Sequence, residues 1–126
     1  MALTPISTDD LRRVVNIGAA RDLTQATGYH TDKHELLQVL HETGFVEPFD
    51  WGSWVQEQAA GLLDDPAALD AADLDTLRRL VTAHIRMDRF ADGHLDEVLA
   101  SGYMDRAIER ARQLLAAREG TAEPLA

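Results

Sequence analysis

The sequence predicts an all-α protein, and three observations carry that prediction. Residues 71–92 run for about five helical turns without a glycine or a proline. Apolar positions elsewhere recur at three- and four-residue spacing, and Ser, Thr or Asp stands just ahead of each such run. No alternating pattern longer than a short link suggests a strand. The 126 residues predict a single helical domain, with five or six helices packed around a central helix at about residues 72–91. Residues 1–6 and 119–126 are expected to be frayed.

In chain order, Ser7 or Thr8 caps a first helix with Asp9 and Asp10 in its first turn. Leu11, Val14, Val15 and Gly18 give it a modest apolar face, ending near Leu23. A turn at residues 27–30 leads to a second helix starting at Thr31 or Asp32. Its inner face is Leu36, Leu37, Val39 and Leu40, and Gly44 caps its end. Glu47-Pro48-Phe49 forces an extended link. Asp50 then starts a third helix over residues 51–63, on which Trp51, Trp54, Val55, Gln58 and Leu62 have near-helical spacing. Each tryptophan is either core packing or the wall of a groove. Asp64-Asp65-Pro66 ends that helix, and Leu69 plugs the core.

The central helix starts at Asp70 or Asp73, whose carboxylate accepts free backbone N–H groups. On a helical wheel, Leu74, Leu77, Val81 and Ile85 form one apolar flank; Thr76, Leu80, Ala83, Met87 and Phe90 form a second. A single polar edge remains: Asp75, Arg78, Arg79, Thr82, Arg86 and Arg89. A helix apolar on two flanks is buried between neighbours. His84 and Asp88 interrupt the first flank four residues apart, as a structural pair at the core rim or as an acid/base pair in a cleft. Asp92-Gly93 makes a corner, with Gly93 at positive φ. A short helix over 94–101 turns Leu95, Val98 and Leu99 inward. Gly102 breaks it, and a last helix over 103–118 buries Ile108, Ala111, Leu114 and Leu115.

The formal charge is −10 and is unevenly spread. Residues 32–75 hold eleven acids against the single base Lys33, a balance of −10, whereas eight arginines match eight acids from Thr76 onward. An acidic chain is repelled by phosphates, so neither direct nucleic-acid binding nor an anionic membrane surface is expected. With no cysteine, disulfides and thiolate metal sites are excluded. The N-terminus lacks the pattern of a signal peptide, and no run approaches the roughly 20 apolar residues of a membrane span. A cytoplasmic location is the expectation.

There is no phosphate loop and no nucleophile elbow. His30 precedes a helix cap that His34 follows. His34 and His41 lie about 10 Å apart along their helix, too far for one ion. No metal ligands, cofactor or catalytic residues are therefore assigned. Arg78, Arg86 and Arg89 either pair with the acids of residues 47–75 or offer planar donors to an anion or a partner.

The run A-D-L-D-T-L-R-R-L-V-T-A-H-I-R-M-D-R-F-A-D-G-H-L, residues 72–95, resembles the signature of a bacterial family of uncharacterised proteins, domain of unknown function 6508. F-V-E-P-F-D-W at 45–51 and G-Y-M-D-R-A-I-E-R at 102–110 resemble it too, and the resemblance spans residues 29–115. Its most specific part is R-x-x-R-F-x-x-G-H-L, residues 86–95. The resemblance implies a small, mainly helical bacterial protein and no known activity. It directs attention to Arg86, Arg89, Phe90, Gly93 and His94, with Phe90 also readable as a core plug.

The leading functional expectation is a non-enzymatic interaction or regulatory module that meets a basic protein partner through its acidic segment. The reading admits a homodimer. The runner-up is an enzyme or anion-binding protein using a cleft beside Arg86, Arg89, His84, Asp88 and His94, walled by Trp51 or Trp54. A third reading is an acidic mimic of nucleic acid.

Overall fold

A computed structural model describes residues 3–28, 30–59, 61–63 and 65–120, and among them all regular structure is helical. The helices are α1 (Thr8–Ala19), α2 (Thr31–Glu42), α3 (Trp51–Trp54), α4 (Ala67–Asp70), α5 (Leu74–Met87), α6 (His94–Ala100) and α7 (Tyr103–Gly120). The five longer helices sit where the sequence puts them. Of the other two, α3 opens the expected third helix but is a single turn, and α4, also a single turn, is additional. No helix among the described residues is long and apolar enough to cross a membrane.

Short polar side chains start most of these helices. Ser7 Oγ accepts from Asp10 N at 3.1 Å, and Asp73 Oδ1 from Thr76 N at 2.8 Å. The start of α2 differs from expectation, because His30 Nδ1 is the cap and accepts from Asp32 N at 3.1 Å. Gly44 follows α2 at φ 73° and Gly93 precedes α6 at φ 80°, both backbone states that glycine alone adopts without strain. Gly93 brings no side-chain cap, so Asp88 supplies one. Its Oδ1 accepts from Leu95 N at 2.9 Å.

The buried residues form one continuous cluster that draws on α1, α2, α5, α6 and α7. Leu11, Leu23, Leu36, Leu40, Leu69, Leu77, Leu80, Leu99 and Met104 are its largest fully buried side chains. α5 is buried on nearly every side from Leu77 to His84. The packing hub is shared, however: α7 touches α1, α4, α5 and α6, and its contact with α1 is the most extensive in the fold.

Several expectations are corrected. The first helix ends at Ala19, and a 3-10 turn at Leu23–Gln25 buries Leu23 instead. The third helix is one α turn, after which Val55–Ala59 widens into a π turn. Trp51, Trp54, Val55 and Leu62 are accordingly only half-buried. The central helix stops at Met87, so Phe90 lies beyond it and is 80% exposed rather than a core plug. The polar edge of α5 is not a solvent edge throughout, because Arg78 and Thr82 are buried.

Candidate functional site

Three neighbouring arrangements hold the residues singled out by sequence. The innermost is an imidazole pair. His84 on α5 is buried; its Nε2 lies 3.1 Å from the Leu63 carbonyl and its Nδ1 lies 3.0 Å from His94 Nε2. A carbonyl only accepts, so His84 Nε2 carries a proton. With both rings neutral, Nδ1 of His84 is the acceptor and His94 Nε2–H the donor. The rings are nearly parallel, 14° apart, and Tyr103 meets His84 edge-on at 4.5 Å between centroids. The expected pairing of His84 with Asp88 is replaced by two separate bonds, since Asp88 accepts from Leu95 N. The pair fastens α6 and the Leu63 turn to α5. Among the described residues no three His, Cys, Asp or Glu side chains are placed to hold a metal ion.

The second arrangement is the outer end of α5 and the turn after it. Arg86 is half-buried and Arg89 exposed. Phe90 stands beside Trp51, with ring centroids 6.2 Å apart. Among the described residues neither Arg86 nor Arg89 makes a hydrogen bond or ion pair, with the His84–His94 pair or elsewhere. Arg78, by contrast, turns inward. It donates to the carbonyls of Phe45 at 3.1 Å, Thr4 at 2.7 Å and Gly44 at 2.6 Å. Burial pulls its pKa below the ordinary arginine range, against the opposing pull of Glu47 and Asp75.

Of the third arrangement sequence reasoning found only Trp54, read as the wall of a groove, and missed the rest. A groove of about 510 Å³ opens between the first described residues, the link after α2, and the α3–π segment. Phe49 and Trp54 form its aromatic wall, edge to face at 5.9 Å. Glu47, Asp50 and Glu57 line it, and among the described residues Arg79 is the one base there. Arg79 is committed locally: its guanidinium sits 5.1 Å over the Phe49 ring, and its Nε donates to Asp75 at 2.9 Å. A smaller recess of about 190 Å³ continues past Trp54 to Asp75 and Thr76. Glu47 accepts from Thr4 N at 2.6 Å and Asp50 caps Ser53 N at 3.2 Å, while Glu57 is exposed. The signal was present in F-V-E-P-F-D-W, where aromatics alternate with acids in an extended link. Such alternation puts rings and carboxylates together only once the link is laid against α5, and that placement is tertiary.

Trp51 and Trp54 stand three residues apart on α3 and divide these features. Trp51 faces Phe90, and Trp54 lines the groove. No curated protein and no solved structure matches the chain. One family model does match, over residues 22–117, and that interval takes in α2 to α6, most of α7, the imidazole pair, the arginines and nearly the whole groove. The chain therefore belongs to that family, the family of unknown function DUF6508.

Proposed function

We propose that the protein is a non-enzymatic interaction module whose acidic, aromatic groove holds a basic segment of a protein partner. One observation carries this reading: Glu47, Asp50 and Glu57 line a groove walled by Phe49 and Trp54, with the locally paired Arg79 as its only base among the described residues. An arginine or lysine there meets carboxylates at its head and a ring face along its stem. The surrounding segment 32–75, with its balance of −10, attracts such a partner at longer range. Clustering of the acids with aromatic rings favours a peptide over mimicry of a nucleic-acid backbone.

The two tryptophans of the chain both lie on α3, so intrinsic fluorescence reports occupancy of this region. The probe is a short amidated peptide carrying two arginines three residues apart and a following phenylalanine. A saturable fluorescence change is expected at low salt, weakening about tenfold as salt is raised toward 0.5 M. Absence of saturation at millimolar peptide, or binding unchanged in Glu57→Arg, contradicts the proposal.

A further inference from the structure

We infer that the segment held in the groove is residues 86–90, Arg-Met-Asp-Arg-Phe, of a second copy of the chain. The inference rests on the groove reading above and names its occupant.

The segment has the chemistry that the groove asks for. Phe90 is the one large hydrophobic side chain left exposed among the described residues, at 80%. Arg89 is in the same turn, and Arg86 one turn earlier. Every other arginine in the described chain is engaged. Arg12, Arg13, Arg21, Arg79, Arg106 and Arg112 pair with acids, and Arg78, Arg110 and Arg118 donate to carbonyls. Only Arg86 and Arg89 are left without a bond among the described residues, in a chain with ten excess negative charges. On the receiving side, Glu57 is exposed and likewise makes no hydrogen bond or ion pair there.

Position completes the argument. Trp51 borders the Phe90 knob and Trp54 borders the groove, so knob and groove flank a single helical turn. A twofold axis through α3 sets the knob of each copy against the groove of the other, and both contacts form at once. Phe90 then meets the Phe49 and Trp54 rings, and Arg86 and Arg89 meet Asp50 and Glu57. The half-buried faces of Trp51 and Trp54 close over each other at the centre, the place where aromatic anchors contribute most.

The test is the mass of the full chain by analytical ultracentrifugation from about 1 to about 100 μM. A monomer–dimer equilibrium is expected. Arg89→Glu, Glu57→Arg and Phe90→Ser each weaken it by about tenfold or more, with the helical circular dichroism of the native chain and, at concentrations where both are monomeric, its unfolding midpoint. An equimolar mixture of Arg89→Glu and Glu57→Arg is expected to form dimers that neither variant forms alone, because each contact again joins opposite charges. A native chain that stays monomeric throughout overturns the inference; if that monomer still binds the arginine–phenylalanine peptide, the groove reading stands and only its occupant is wrong. A native dimer indifferent to Glu57→Arg and Phe90→Ser overturns it too, and a mixture that remains monomeric does the same.

Discussion

Arg78 Nη2 donates to the carbonyl of Gly44 at 2.6 Å from inside the protein, across 34 residues of sequence. The same guanidinium holds the Phe45 and Thr4 carbonyls. A planar fork of five donors suits three acceptors that no helix or strand satisfies. These bonds lock the turn after α2 and the N-terminal segment onto α5, and so shape the floor on which the groove is built. Replacing Arg78 by Met is expected to cost about 2–4 kcal/mol in urea unfolding, because one buried and two half-buried carbonyls lose their donor. Arg78→Lys should recover only part of this, since one ammonium cannot span all three.

At Gly18 the backbone of α1 packs directly against Ile108 of α7. A Cβ there would lie 2.6 Å from Ile108 Cγ2 and 2.7 Å from Cδ1. Helix propensity favours alanine by about 1 kcal/mol, but overpacking costs about 1–3 kcal/mol. Gly18→Ala is expected to lower the unfolding midpoint, and Ile108→Ala in that background to restore part of the loss. A stabilised single variant would show that the two helices can separate at no cost.

Acid sensitivity follows from depressed carboxylates. Asp73 is held below the usual carboxylate range by the Thr76 backbone N–H and then by the Thr76 hydroxyl. Asp96 is held down by the Lys33 ammonium, 2.8 Å away, and then by the Gly28 N–H at 3.0 Å. A folded pKa below the unfolded one contributes stability that is present above about pH 4 and lost as pH falls through the folded value. The contribution of these two carboxylates is therefore expected to be level from neutral pH down to about 4 and to fall below it, while Asp105, which burial pushes up, acts in the opposite direction. Asp73→Ala should cost about 1 kcal/mol at pH 7 and much less at pH 2. Urea midpoints measured across that range check the sign.

The imidazole pair predicts an unequal response to truncation. His84 is buried and bonds in two directions, whereas His94 is half-buried and contributes one bond to it. His84→Ala strands the Leu63 carbonyl and opens a cavity beside Tyr103, costing about 2–4 kcal/mol. His94→Ala is expected to cost about 1 kcal/mol. Equal costs in denaturant titrations would mean that the Leu63 bond contributes nothing.

Periodicity and capping made the helices legible, since both act within a few residues of sequence. Leu77, Leu80 and Val81 are buried as their spacing requires, and Gly44 and Gly93 take the positive φ that their positions demand. The wheel misplaced Arg78 because it ranks a side chain by polarity alone. It cannot see three unsatisfied carbonyls arriving from residues 4, 44 and 45. Phe90 was misplaced because α5 ends at Met87, where Asp88 turns to serve the next helix. The His84–His94 contact spans the Gly93 corner, and the groove needs an irregular link laid against a helix. Both depend on loop paths that short-range pattern does not encode.

The contact of α1 with α7 has a consequence for synthesis. A ribosome delivers α1 well before α7, its largest partner, and Arg118 donates to the Ile6 carbonyl across 112 residues. While the intervening chain emerges, Leu11, Val14 and Val15 lack the surface that finally covers them. The nascent protein thus carries an apolar face on α1 that α2 covers only in part, and the contact between α1 and α7 closes only once α7 has been made.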